Sequence, residues 1–323
     1  MPIYGPEPIN LEGVNGHRYW FDELYSYTGV ADIDQRLSAF PVAVFLPQNR
    51  PAQGAPLVIG LQGVSAPYQY NGFIVPTLTK MGFAVALLET LFAGERSLVR
   101  TFTTKPHKEI QPLVERNIPF NTDLFLRMFQ RTSVDIARVQ EFCSDRYGIS
   151  STRLTLFGVS MGVLYTSYAF TADGIGERLL GAIGHSDLHS FVRSWSSEFL
   201  PDLAASPLGQ LAELFINRTN SELHSVIKLF QLAKEVKYPD KNALACNPMT
   251  YIERVKLPRR SRFLVGQTDS VIKFRDAQAC AEKFPDGACY VVPGMGHGTN
   301  KFGPTFVEHV RYFLNTQLED WKS

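Results

Sequence analysis

Apolar residues in this chain fall into short unbroken runs, set between longer stretches in which they recur every three or four positions. Leu57-Val58-Ile59-Gly60-Leu61, Phe83-Ala84-Val85-Ala86-Leu87-Leu88 and Leu154-Thr155-Leu156-Phe157 are runs of the first kind, followed by Leu179–Ile183, Phe263–Val265 and Cys289–Val292. Continuous apolarity without alternation suits strands buried on both faces, as in a parallel sheet covered by helices. Residues 125–147 are of the second kind. Thr132, Ile136, Val139 and Cys143 mark one face of an amphipathic helix, and Gly148 is placed to stop it. Phe306, Val310, Phe313 and Leu314 give the face of a final helix, and a short helix is expected near 73–81. Residues 17–46 mix aromatic and β-branched positions and read as opening strands closed at Pro47. Residues 101–124, with three prolines, read as an irregular loop.

Strands alternating with helices predict an α/β fold, with a mostly parallel central sheet flanked by helices. One stretch breaks the rhythm. Between 188 and 257 no strand is evident, whereas helical patterns stand near 207–216 and after the capping box Thr219-Asn220-Ser221-Glu222, with Leu223, Val226, Ile227 and Phe230 on one face. We read 188–257 as a helical cap insertion between two parts of the core, 1–187 and 258–323. No internal repeat or low-complexity tract is evident.

The 323 residues fit one large domain with an insertion or two domains. A composition 45% hydrophobic and 20% charged excludes disorder. The 32 Lys and Arg nearly cancel the 31 Asp and Glu, so no broad field attracts a phosphate backbone and no nucleic-acid partner is expected. The first residues lack a basic segment followed by an apolar one, and no apolar run approaches the ~18 residues of a membrane span, so a cytoplasmic protein is expected. The four cysteines are widely spaced, without C-x-x-C, and read as reduced structural thiols. No G-x-G-x-x-G, P-loop or metal-ligand spacing is present, so neither a nucleotide cofactor nor a metal is expected.

Chemistry enters at Gly158-Val159-Ser160-Met161-Gly162, a G-x-S-x-G motif between an apolar strand and the helix-compatible run Val163 to Phe170. A sharp strand-to-helix turn crowds the backbone, requires small residues two positions either side of the serine, and pushes its hydroxyl into a cleft. With 24 glycines in the chain, chance supplies about 0.1 such motifs, so the strand–turn–helix context carries the assignment.

On this motif, and on the chain order serine, acid, histidine, the chain resembles the α/β-hydrolase superfamily of serine hydrolases across roughly 40–186 and 258–320. The resemblance implies Ser160 as nucleophile. It implies His297, in Pro293-Gly294-Met295-Gly296-His297-Gly298, as general base, and Asp269, 109 residues after Ser160 and 28 before His297, as the acid that orients it. A serine hydroxyl needs such a base, and the base such an acid. Asp187, 27 residues after Ser160, is the alternative acid; it or its neighbour His185 otherwise lines the pocket or hinges the cap. The oxyanion formed on attack needs preorganised N–H donors. Met161 is expected to give one and Val64 the other, from Gln62-Gly63-Val64-Ser65, where many relatives carry His-Gly. Glu95 and Arg96 read as solvated loop charges, and the remaining histidines as surface or packing residues.

These residues point to hydrolysis of a small-molecule carboxylic ester through an acyl-enzyme. Thioesters, amides and acyl transfer are open alternatives on the same three residues. A binding protein that keeps the fold without turnover is a further alternative.

Overall fold

The computed structural model describes residues 2–63, 65–99, 106–199, 221–237, 241–297 and 304–321. In chain order the regular elements are β1 (Ile3–Leu11), β2 (Val14–Phe21), α1 (Ala31–Ser38), β3 (Phe40–Phe45), β4 (Leu57–Leu61), α2 (Val75–Lys80), β5 (Ala84–Leu88), α3 (Pro106–Glu115), α4 (Thr122–Tyr147), β6 (Leu154–Val159), α5 (Met161–Thr171) and β7 (Arg178–Ala182). There follow α6 (Leu188–Phe199), α7 (Ser221–Lys237), α8 (Lys241–Cys246), β8 (Arg260–Gly266), α9 (Phe274–Ala281), β9 (Gly287–Val292) and α10 (Pro304–Gln317).

The strands form a single sheet in the order β1-β2-β3-β5-β4-β6-β7-β8-β9. β1, β2, β3 and β5 pair antiparallel, and the pairings from β5 across to β9 are parallel. The apolar runs become the central strands because each must present side chains to two helical layers. Leu57, Ile59 and Leu61 of β4 face one layer, with Ile136, Val139 and Cys143 of α4 and Leu164 of α5. Val58, in the same strand, faces the other layer, with Leu78 of α2 and Val310, Phe313 and Leu314 of α10.

The long helix α4 begins where the Asn121 side chain accepts the Leu124 N–H at 3.1 Å, and it ends at Gly148, whose φ of 67° is the left-handed conformation glycine adopts without strain. All four cysteines are free thiols, and burial pushes Cys143, Cys280 and Cys289 up to about 12, so these three stay protonated.

Two expectations are corrected, and one strand was not foreseen. The 101–124 stretch holds a helix, α3. Pro106 occupies its first position, where no N–H is needed. The intrahelical bond lost at Pro112 is offset by burial of Ile110, Leu113 and Val114 and by packing on α7. The opening segment 17–46 contains the helix α1 between its strands. The chain also begins with an edge strand, β1, whose exposed face and two prolines hid it from the apolar pattern. Between 188 and 257 the described residues are helical or irregular, with no strand. The expected helix at 207–216 and the capping residues Thr219 and Asn220 lie outside the described residues. α7 buries Ser225, Leu232, Ala233 and Val236. Of its expected apolar face Ile227 is half-buried, and the side chains of Leu223, Val226 and Phe230 lie outside the described residues. No helix among the described residues is long and apolar enough to cross a membrane.

Candidate active site

The chain leaves β4 toward β5 on one side of it and returns to β6 on the other. Connections that diverge in this way open a crevice outside the carboxyl ends of β4 and β6, the place where open α/β sheets bind ligands. Ser160 stands there, directly after β6 and before α5, with φ 54° and ψ −122°. Non-glycine residues avoid that region and stay in it only where the surroundings over-determine them. Here Ser160 N–H donates to the Ala182 carbonyl at 2.9 Å, and the Ser160 carbonyl accepts Val163 N–H at 2.9 Å. The flanking glycines are forced by close approach. A methyl on Gly158 would come 2.5 Å from Val163 N, and one on Gly162 would come 2.5 Å from the Leu61 carbonyl oxygen. Ser65, Phe92 and Ile183 also have positive φ, and each follows a strand, β4, β5 and β7 in turn. Strained backbone therefore collects along the edge that carries Ser160.

Parallel pairing of β6, β7, β8 and β9 brings the loops after β8 and β9 to the same edge. The segment after β9 folds across the end of β8: Thr268 N–H donates to the Met295 carbonyl at 3.0 Å, and Gln267 N–H to the Val292 carbonyl at 2.9 Å. A side chain at Gly266 would overlap Met295, so only glycine lets this crossing occur. The crossing lays His297 over Asp269. His297 Nδ1 lies 3.0 and 2.9 Å from the two carboxylate oxygens of Asp269, whose side chain is buried, and His297 Nε2 lies 3.2 Å from Ser160 Oγ. Asp269 is itself fixed by Val271 N–H and Ile272 N–H, which donate to Oδ1 at 2.9 and 2.7 Å. A carboxylate acceptor at Nδ1 keeps the imidazole proton there, leaving Nε2 as the acceptor for the serine hydroxyl.

On the opposite side of Ser160, Met161 opens α5, so its N–H belongs to the set with no intrahelical partner. Val64 lies outside the described residues. Gly63 beside it packs on the serine: a methyl there would sit 3.3 Å from Ser160 Cβ. Gln62 is buried, and its Nε2 has no partner among the described residues. Asp187 stands elsewhere. Its carboxylate accepts Ser190 Oγ–H at 2.8 Å, Asn247 Nδ2–H at 3.0 Å and His189 N–H at 3.2 Å. Burial opposes its ionisation, but the Ser190 and Asn247 hydrogen bonds hold Asp187 below the ordinary carboxylate range. His185 accepts Asp187 N–H at Nδ1, 3.1 Å away, and burial lowers its pKa to about 4, so it is neutral near pH 7.

Arg96 is a correction. Glu95 is exposed as expected, but Arg96 is 0% exposed. It donates to Asp135 at 2.8 Å, to Tyr27 Oη at 3.0 Å and to the Leu37 and Glu89 carbonyls at 2.7 and 3.2 Å, and it lies over the Phe40 ring. Its counter-charge is 39 residues away on α4, beyond the reach of any local reading. Two further buried acids were also missed. Burial raises both Glu89, at the end of β5, and Glu109, on α3, to about 7. Glu89 is the first polar residue after an apolar strand, the same signal that marks Ser160. Among the described residues no group of three or more His, Cys, Asp or Glu side chains is placed to hold a metal ion.

No family profile matches the chain, and no curated protein sequence does. Solved structures match it. An acetyl xylan esterase from Paenibacillus sp. R4 superposes with a TM-score of 0.55 at 14% identity, over 98% of this chain and 89% of the esterase. Acetyl xylan esterase 1 from Thermoanaerobacterium sp. JW/SL YS485 gives 0.53 at 16% identity, over 95% and 87%. The acylaminoacyl peptidase of Pyrococcus horikoshii gives 0.54 at 14% identity over 87% of this chain, which spans 39% of the peptidase's length. At these identities the likeness is one of fold.

Proposed function

We propose that this chain, which has the α/β-hydrolase fold, is a serine hydrolase that cleaves carboxylic esters through an acyl-enzyme. Ser160 attacks the carbonyl carbon as His297 Nε2 takes its proton. The imidazolium so formed is stabilised by Asp269 and returns the proton to the leaving alkoxide. Water, activated by the same imidazole, then releases the acid. The oxyanion is met by the free N–H of Met161 at the start of α5, aided by the positive end of that helix, and by Val64. The observation that carries the reading is the connected line from the Asp269 carboxylate through His297 to Ser160 Oγ, with both links between 2.9 and 3.2 Å. Packing alone gives no reason for a buried carboxylate, an imidazole and a strained serine to line up at a sheet edge. An ester precedes an amide as substrate because an alkoxide leaves more readily than an amine.

We also propose that 188–257 forms a cap beside the site. It leaves the core six residues after β7 ends, on the edge that carries Ser160, and Asp187, just before it, accepts a hydrogen bond from Asn247 within it.

A fluorophosphonate probe tests the assignment. The expected result is labelling of the native chain and its loss in Ser160→Ala and His297→Ala. Equal labelling of native and Ser160→Ala chains would sink it. Turnover of short p-nitrophenyl esters, set beside thioester and anilide analogues, decides the leaving group, and no hydrolysis across the panel would favour a binding protein.

A further inference from the structure

Glu89 immediately follows β5, two strands over from β6 and Ser160 with β4 between, and it is buried. Each of its carboxylate oxygens accepts a backbone N–H from a different loop. Oε1 takes Tyr68 N–H at 3.3 Å, from the segment after β4, and Oε2 takes Glu95 N–H at 2.7 Å. The two loops also meet directly, Gly94 N–H donating to the Ser65 carbonyl at 3.5 Å. Gly94 forms the cradle: a methyl there would overlap the Glu89 carboxylate. At the other end of the same segment, Gly63 rests on Ser160. The segment from Gly63 to Tyr68 thus runs from the nucleophile to the Glu89 clamp, and it includes Ser65 at φ 60°.

We propose that Glu89 is a positioning residue: its ionised carboxylate joins the loop after β4 to the Gly94–Glu95 turn and so holds the oxyanion-binding backbone against Ser160. The inference rests on the reading of Ser160 as nucleophile. Two separate N–H groups aimed at two oxygens are matched best by a carboxylate, which accepts strongly at both; an amide presents hydrogens to one of them. At pH 8, above the value of about 7 to which burial raises it, the carboxylate carries its charge in spite of its surroundings. Burial disfavours it, as does the neighbouring Glu95, while Arg96, fixed by Asp135, favours it, and Tyr68 faces it through its N–H. A carboxylate retained where burial penalises it, at the hinge of the loop that touches the nucleophile, is the signature of preorganisation at the expense of stability.

Glu89→Gln keeps the shape and removes the charge. Its amide oxygen accepts one N–H, and its NH2 opposes the other. The expected result is a kcat on p-nitrophenyl acetate at least tenfold lower, a KM within twofold, and a melting temperature at pH 8 equal to or above that of the native chain, because a donor that acts on the transition state alone leaves substrate binding untouched. A residue with a purely structural role would lower kcat and melting temperature together. A kcat within twofold, or a fall that tracks lost thermal stability, overturns the proposal. Should Glu89→Gln not fold, Gly94→Ala drives the carboxylate from its cradle; its methyl and its φ of 51° lower the melting temperature, so the readout there is a kcat at least tenfold lower with KM within twofold in the folded variant, and an unchanged kcat is equally fatal. The underlying reading fails separately, if the native chain shows no Ser160-dependent labelling by the fluorophosphonate probe.

Discussion

Asp269→Asn is the substitution whose outcome the geometry fixes most tightly. Val271 N–H and Ile272 N–H both donate to Oδ1, so an asparagine here must place its amide oxygen at that position. Oδ1, although 3.0 Å from His297 Nδ1, is then a neutral oxygen already taken up by those two N–H groups, while the NH2 occupies the place of Oδ2, 2.9 Å from Nδ1, and donates to it. The imidazole proton moves to Nε2, so Ser160 Oγ at 3.2 Å meets an N–H where it had met a lone pair, and no base remains. Loss of the correct tautomer in a triad of this kind costs roughly 10⁴ in kcat, about 5.5 kcal/mol of transition-state stabilisation. The fold is expected to lose little, because both backbone hydrogen bonds survive. The assay is kcat on p-nitrophenyl acetate at pH 8, with melting followed by circular dichroism on the same samples. A fall smaller than a hundredfold in a folded variant would refute the tautomer argument. Asp187→Asn, whose partners are Ser190, His189 and Asn247, is expected to stay within a few fold of the native kcat; a loss near 10⁴ there would transfer the acid's role to Asp187.

Gly162→Ala sets a methyl 2.5 and 2.6 Å from the carbonyl oxygens of Leu61 and Gln62, so the backbone after β4 must shift; kcat is expected to fall by about 10² or more, the loss that follows a displaced oxyanion donor, and near-native kcat would contradict the close approach. Asp135→Asn removes the acid shared by the buried Arg96 and Arg131, which costs about 3–5 kcal/mol in urea unfolding, and the apolar pair Arg96→Met with Asp135→Leu recovers only part of it because Arg131 then keeps Glu23 alone, at 3.5 Å; a single variant as stable as the native chain would count against the pair. Glu109 is raised from 4.5 to about 7, so the folded state holds a proton that the unfolded chain releases, and stability is lost as pH rises from about 4.5 through 7; Glu109→Gln is expected to regain up to about 3 kcal/mol at pH 8 relative to pH 5, and an unchanged pH slope would refute it. His185, lowered from 6.5 to about 4, acts in the opposite sense: stability is full above pH 6.5 and is lost as pH falls toward 4, and His185→Gln should flatten that acid limb of the urea midpoint.

The central strands were legible because burial on both faces forces unbroken apolar runs, and Ser160, Asp269 and His297 because each follows such a run in chain order. The same logic explains what was missed. β1 is an exposed edge, so no burial constrains its side chains to a pattern. α3 hides behind Pro106 and Pro112, whose effect on a helix depends on position within the turn and not on presence alone. Arg96 looks like any loop arginine until α4 brings Asp135 to it, a contact set by tertiary packing across 39 positions. Glu89 carried a readable signal, a polar residue at the carboxyl end of a buried strand, but its meaning depends on two backbone amides that only the fold supplies.

Arg96 and Glu89 belong to one argument. Arg96 donates to the Glu89 carbonyl and to Asp135 of α4, so the turn that follows β5 is anchored to a helix in the layer beneath the sheet. Glu89 carries that anchorage across to the loop after β4, and Gly63 carries it to Ser160. Arg96, Asp135 and Glu89 place charges where a core would favour apolar residues, so these contacts cost stability. On the proposed mechanism, what they gain is a backbone held against the serine when the carbonyl becomes tetrahedral. Donors that need no rearrangement at that moment stabilise the oxyanion more than donors that must first be ordered, because reorganisation would subtract from the interaction they make. Stability and activity are therefore expected to move in opposite directions when Glu89 is neutralised, and in the same direction when Asp135 is, since removing that charge strands Arg96 and frees the turn together.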